Sequence, residues 1–189
     1  MQVLKEDVKN KIVEAAVEEF LINGYEKSSL RTIASQAGIT IGNIYSYFSS
    51  KDDLFSYVVS PAAEALDTLL SFDFIKYEGS HAVNLSGIAQ KICDVFVSNK
   101  ERFFILINNS TGSRYENTKD TVVKFISKRL KYELFPRLNK TNIDPLFAEV
   151  LATSLLAGFL TIFNHFGGDE ARLSLLIKDL LDIFLGELS

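Results

Sequence analysis

The stretch that most constrains this 189-residue chain is Leu30–Phe48, LRTIASQAGITIGNIYSYF. Apolar or small residues stand at Ile33, Ala34, Ala37, Ile39 and Ile44, and Gly38 falls between two short helical patterns. The spacing predicts a helix over Leu30–Gln36, a tight turn, and a second helix opened by Thr40 and running to about Phe48. Ala34 has to be small because the second helix crosses it at close range. Gly38 takes the positive φ of the turn with no Cβ to oppose it. Ile33, Ile39 and Ile44 face inward. A preceding helix through Val8, Ile12, Ala15, Ala16 and Phe20 closes this small core from behind and stops at Gly24.

What the core does not use points outward. Ile41, Gly42, Asn43, Tyr45, Ser46 and Tyr47 are free of it or partly so. Two tyrosines, an amide and hydroxyls are groups that bond phosphates or base edges. Asn43 suits bidentate reading of an adenine, and Thr40, Tyr45 and Tyr47 suit phosphates. Lys51 opens the next helix within reach of a nucleic-acid backbone, and Arg31 adds charge near the same face. Ser28 or Ser29 caps the first short helix, Ser29 standing on the outward side. Lys5, Lys9 and Lys11 interleave with Glu6, Asp7 and Glu14, and read equally as a phosphate clamp or an ordinary solvated face.

Charge sets a constraint of its own. The net charge of −4 argues, taken alone, against a nucleic-acid partner. Residues 1–60 do not reverse it, with 6 Lys+Arg against 8 Asp+Glu. Placement decides instead: no acid lies between Glu26 and Asp52, while Lys27, Arg31 and Lys51 fall within that window. Affinity for DNA is then expected to rest on hydroxyl, amide and helix-end contacts, with weak non-specific binding.

The rest of the chain reads as helices, with no sustained two-residue alternation. Ser50 and Asp53 form a capping pattern for a helix running toward Phe74, with Pro61 as a kink or break. Lys76–Asn84 reads as a loop. Helices follow through Ile88, Ile92, Val95 and Phe96, and through Phe103–Ile107. Asn108–Arg114 is a polar break, either a plain turn or a ligand contact. A long helix through Val122, Phe125, Ile126, Arg129 and Leu130 ends near Pro136. Asp144 and Pro145 start another, Gly167 and Gly168 end it, and the last runs from Asp169 to about Leu188.

Several function classes drop out. Nineteen uncharged residues separate Glu149 from Asp169, long enough to span a bilayer. Thr153, Ser154, Thr161, Asn164 and His165 interrupt them and the flanks are acidic, so a core or interface helix and no membrane partner is expected. Cys93 is the single cysteine and His81 and His165 the only histidines, so neither a disulfide framework nor a metal centre is expected. No cofactor motif appears, nor a G-x-S-x-G, phosphate loop or H-E-x-x-H, so the chain does not read as an enzyme. The start, MQVLKEDVKN, is charged almost at once and lacks an apolar h-region, which predicts a cytoplasmic protein.

Ala34, Gly38, Ile39, Gly42, Tyr45, Phe48 and Lys51, with Ser50-Lys51-Asp52-x-Leu54 spacing, resemble the DNA-binding domain of the TetR (tetracycline-repressor-like) family over about residues 5–58. The remainder is similar in helical pattern only. The resemblance implies an all-α fold: an N-terminal three-helix helix-turn-helix domain over 1–50 and a C-terminal helical ligand-binding and dimerisation domain over 51–189. Thr40 then caps the recognition helix, Gly42 lets its backbone approach DNA, Tyr45 and Tyr47 touch backbone or bases, and Lys51 contacts a phosphate. Ile41 departs from the polar or basic residue of many members, and can pack on a thymine methyl.

The implied partners are a palindromic double-stranded operator, a small-molecule effector that releases it, and a second copy of the chain. Phe96, Phe104, Asn108, Tyr115, Phe159 and Phe163 are the implied effector contacts. The implied dimer face, on the last two helices, holds Ala152, Leu156, Leu173, Leu176, Ile177, Leu180 and Phe184, with Ala148, Ala157 and Gly158 permitting close approach. A helical adaptor that does not bind DNA is the competing reading, with Ile41 as its best argument.

Overall fold

At Leu30, Ile41, Lys51 and Pro145 the helix start coincides with a side-chain oxygen that takes up a backbone N–H group. The computed structural model describes residues 2–71, 85–137 and 142–185. Helix α1 spans Gln2–Lys27, α2 Leu30–Gln36 and α3 Ile41–Tyr45. Thr32 N donates to Ser29 Oγ at 3.1 Å, and Asn43 N to Thr40 Oγ1 at 3.3 Å. Helix α4, Lys51–Ser71, opens on a reciprocal cap. Asp53 N donates to Ser50 Oγ at 3.0 Å, while the Asp53 carboxylate accepts from Ser49 N at 2.8 Å.

Helices α5 (Leu85–Ser98), α6 (Lys100–Asn108) and α7 (Thr118–Arg129) follow, then a π-helical turn over Leu130–Leu134 and α8 (Phe135–Arg137). Asp144 caps α9, Pro145–His165, by accepting from Leu146 N at 2.9 Å, and α10 is Glu170–Leu185. Among the described residues there is no strand, so the fold is all-α.

Four local expectations change. Helix α1 does not stop at Gly24; it kinks there (φ 69°, ψ 170°) and makes one more turn. Helix α3 ends at Tyr45, and the residues after it close tighter turns, with Ser46 N donating to Asn43 O at 3.2 Å and Tyr47 N to Ile44 O at 2.9 Å. Pro61 lies inside continuous α4. Lacking an N–H, it leaves the Tyr57 carbonyl without its usual donor, and Ser60 Oγ takes that place at 3.2 Å. The helix expected to reach Pro136 loosens at Leu130–Leu134, where Leu130 and Leu134 are buried with Ala148 and Ala152. The loop expected over Lys76–Asn84, and the helix ends near Phe74 and Leu188, lie outside the described residues.

The chain packs as two compact units, residues 1–65 with 99–119, and residues 66–98 with 120–189. In the first, α2 and α6 lie on α1, and α3 lies on α2. Its core holds Ile12, Ala16, Phe20, Ile33, Ile44, Leu54, Phe55 and Val58. Phe55 sets its ring edge-on to those of Phe20 and Tyr25, each at 4.9 Å between centroids.

In the second unit α10 lies along α5 and α9. The rings of Phe96 and Phe163 stack at 3.7 Å and 4°. A Cβ added to Gly158 would stand 2.8 Å from Leu180 Cδ2, so α9 and α10 approach closely there. Helix α9 is long and apolar enough to cross a membrane by length and composition alone. Its apolar row of Ala148, Ala152, Leu155, Leu156, Phe159, Leu160 and Phe163 is buried inside the unit.

That burial corrects part of the expected dimer face. Ala152, Leu173 and Ile177 are 0% exposed and Leu156 5%, in a single copy of the chain. They have no surface left for a partner, because α9 and α10 turn this row inward within one protomer. An apolar period marks a covered face without saying which neighbour covers it. Leu176, Leu180 and Phe184 are half-buried. Among the described residues, the large exposed apolar side chains of these helices are Leu146, Phe147 and Val150 on α9, with Leu175 and Ile183 on α10.

Candidate nucleic-acid interface

Helix α3 is anchored by one side chain. Ile44 is buried, while Thr40, Ile41, Gly42, Asn43, Tyr45 and Ser46 are exposed and Tyr47 is half-buried. The turn before it closes onto α2, with Ile39 N donating to Ala34 O at 2.9 Å and Gly38 at φ 69°. The hydroxyls divide in their roles. Ser29 and Thr40 oxygens cap α2 and α3, and Ser46 Oγ donates to Gly42 O at 3.2 Å. Asn43, Tyr45 and Ile41 present their side chains outward. A Cβ at Gly42 would meet only Thr40 Oγ1, at 3.7 Å, an ordinary contact.

The basic groups differ from one another more than the sequence suggests. Arg31, Lys5 and Lys11 are exposed. The Lys9 ammonium stands 4.2 Å from the centroid of the Tyr57 ring, whose neighbour at 5.4 Å is Phe48. Lys51 turns inward. Its ammonium donates to Tyr25 O at 2.7 Å, Ser28 O at 3.1 Å and Glu26 O at 3.4 Å, and lies 4.3 Å over the Tyr25 ring. Burial, and then the Asp52 carboxylate, push the Tyr25 hydroxyl above its ordinary value, so the ring below the ammonium stays neutral.

Two residues of this unit were not singled out by the sequence. Glu19 is only 3% exposed; its carboxylate accepts from Asn23 Nδ2 at 3.0 Å and from Ser29 N, where α2 begins, at 3.4 Å. The signal was present: Glu19 shares the inward row of Ala15, Ala16 and Phe20, where a free acid is costly. Asn109 carries no such signal. From the turn after α6, its Nδ2 donates to Leu21 O at 2.7 Å and Phe20 O at 3.1 Å, and its own carbonyl accepts from Tyr25 N at 2.8 Å. The polar break Asn108–Arg114 is thus a turn that caps α1. It is held by Ser113 Oγ on Ser110 O at 2.6 Å and Gly112 N on Glu116 Oε2 at 3.1 Å.

The six implied effector contacts divide evenly between the units. Phe96, Phe159 and Phe163 are buried in the second, with Phe159 and Phe163 rings 6.4 Å apart. Phe104, Asn108 and Tyr115 belong to the first, where Tyr115 lies 6.1 Å from Phe55. Among the described residues no three His, Cys, Asp or Glu side chains converge as metal ligands would.

Known proteins are similar to parts of this chain. The "Fatty acid metabolism regulator protein" of Bacillus subtilis is 49% identical over 43 residues, 23% of this chain and 22% of that protein. The "HTH-type nicotine-responsive transcriptional repressor HdnoR" of Paenarthrobacter nicotinovorans is 31% identical over 96 residues, 51% of this chain and 47% of that one. The chain thus matches half or less of the length of either relative. The crystal structure of the regulator FadR from Bacillus subtilis in complex with stearoyl-CoA covers 94% of this chain and 97% of its own, with a TM-score of 0.59 and 20% identity. At that identity it speaks for the fold. Residues 12–58, which hold the helix-turn-helix, match the family described as "Bacterial regulatory proteins, tetR family", and over that segment the chain is similar to TetR-family transcriptional regulators.

Proposed function

We propose that the chain is a cytoplasmic, ligand-responsive repressor that binds a palindromic double-stranded operator as a homodimer and leaves it when a small-molecule effector binds. The observation that carries this reading is α3, exposed at every residue from Thr40 to Ser46 except Ile44, on a span with no acid between Glu26 and Asp52. Thr40, Ile41, Asn43, Tyr45, Ser46 and Tyr47 meet the groove, with Arg31 and Ser29 on the flank. Gly42 supports the same reading, since no neighbour inside the unit requires a glycine there. Close approach of a backbone from outside does.

In this scheme residues 1–50 bind DNA and residues 51–189 bind effector and partner. The partner face takes Leu146, Val150, Thr153, Ala157 and Thr161 on α9, exposed at helical spacing, and Leu175 and Ile183 on α10. Two copies joined there present two α3 helices to successive turns of one DNA face. The relatives' effectors, nicotine by the name of one and stearoyl-CoA in the FadR structure, make these two compounds the first ligands to try. Phe96, Phe159 and Phe163 are the aromatic wall that would receive them.

The test is selection of duplexes from a randomised pool, followed by affinity against salt. Recovery of a palindrome is expected, with affinity falling as salt rises; recovery of no sequence at all would reject DNA binding. Gly42→Gln is expected to leave thermal stability within about 0.5 kcal/mol, as exposed substitutions do. It should nevertheless abolish operator binding. Asn43→Ala is expected to cost about 1–3 kcal/mol of discrimination at one base pair only.

A further inference from the structure

The carbonyls at the end of α1 are gripped from two sides by donors far apart in the sequence. A helix C-terminus carries unpaired carbonyls and the negative end of the helix dipole. Here the kink at Gly24 divides them into two sets. Asn109 Nδ2 takes the first set, Phe20 O and Leu21 O, at 3.1 and 2.7 Å. The Lys51 ammonium takes the second, Tyr25 O, Glu26 O and Ser28 O, at 2.7 to 3.4 Å. An ammonium has three N–H donors, and all three are used on these carbonyls.

The two grips are also tied to each other. Arg114, on the Asn109 turn, donates through Nε to Ser56 Oγ at 2.9 Å and lies 3.8 Å from the carboxylate of Asp52, which follows Lys51. The end of α1, the turn after α6 and the start of α4 therefore form a closed circuit of hydrogen bonds. Helix α2 hangs from that circuit, because Glu19 and the Ser28–Ser29 backbone set where it begins, and α3 packs on α2.

We propose that Lys51 and Asn109 are positioning residues for DNA binding: they hold the junction between α1 and α2, and so the bearing of α3, without touching DNA. Lys51 acts here through carbonyls and not through a phosphate, and residues 109–114 are part of the DNA-binding apparatus. The affinity arm of the test rests on the DNA-binding reading above; the exchange arm does not.

The full-length variants Lys51→Met and Asn109→Asp keep side-chain size while removing the donors. In the free protein, amide hydrogen exchange at Tyr25, Ser28 and along α2 is expected to quicken about tenfold or more in both, since one lost hydrogen bond alone is worth about that much. Exchange along α9 should not change, which separates a local opening from general unfolding. Unaltered exchange at the junction overturns the proposal.

In the second arm, the duplex that the wild-type chain selects from a randomised pool is titrated beside a scrambled duplex, well below the melting temperature. Both variants are expected to lose about tenfold or more on the selected duplex and little on the scrambled one. A residue that merely stabilises the fold would lower the melting temperature and leave that ratio alone. The dependence of affinity on salt should keep its wild-type slope in Lys51→Met; a slope lower by about one means a phosphate contact and overturns the assignment of Lys51. Should the wild-type chain select no duplex, the DNA-binding reading fails, and the exchange arm alone decides the positioning claim. Milder variants, Asn109→Ser and Lys51→Gln, give the same two readouts if either first variant fails to fold.

Discussion

Phe55→Ala is expected to destabilise the protein by about 3–5 kcal/mol, the range for emptying a buried phenyl site. Phe55 is fully buried on α4 and meets Phe20 and Tyr25 edge-to-face at 4.9 Å. Such aromatic pairs add about 0.5–1.5 kcal/mol each beyond area burial. The cavity would open where α4 meets the end of α1, and the Tyr115 ring 6.1 Å away comes from the same turn as Asn109. Little can collapse into it, since Phe20 is itself fully buried and fixed by α1. Urea unfolding with an unchanged m-value checks this. Tyr45→Ala, at a 55% exposed residue of α3, is the control and should stay within about 0.5 kcal/mol. A loss at Phe55 below about 1 kcal/mol would show that the aromatic cluster is not the centre of this core.

The second large effect concerns the partner face. Ala157→Arg is expected to convert the proposed dimer to a monomer and to reduce operator affinity by about 10²–10⁴-fold, the usual gain from joining two binding modules. Ala157 is exposed midway along α9, with Thr153 and Thr161 one turn away on either side. In one copy the arginine reaches water and costs little. Against a second helix it has neither room nor a partner charge. Ala152→Arg is the contrast: that residue is wholly buried, so its variant should unfold instead of dissociating. Sedimentation and melting curves separate the two outcomes. A dimeric Ala157→Arg variant with full affinity would place the interface elsewhere.

The helix-turn-helix was legible because its rules are local. Thr40 caps as expected and Ser29, one of the two serines expected, caps α2, which runs over Leu30–Gln36; Gly38 has the positive φ that the turn needs. The start of α9 at Asp144–Pro145 was legible for the same reason. What failed depended on distant neighbours. The roles of Lys51 and Asn109 follow from where the carbonyls of α1 point after the Gly24 kink, and no spacing encodes that. The dimer face failed at Ala152, Leu156, Leu173 and Ile177 because an intramolecular and an intermolecular apolar row have the same period. Glu19 lay between these cases. Its place in an inward row was readable, but its partner Ser29 N was not, until α2 had been set against α1.

Net charge changes meaning at the same residue. Glu19 counts among the acids of the N-terminal part, yet it lies buried at the start of α2. The DNA-facing surface is less acidic than the tally of the first 60 residues suggests.

The unit that carries α3 is discontinuous in the chain, residues 1–65 completed by 99–119. The bonds from Asn109 to Leu21 and Phe20 span 88 and 89 residues. On a ribosome adding about 5–20 residues per second, Asn109 is made roughly 5–20 s after the helix end it caps. During that interval the recognition helix can already exist while its foundation does not. In the growing chain the residues of α3 are therefore made before the residue that caps the end of α1.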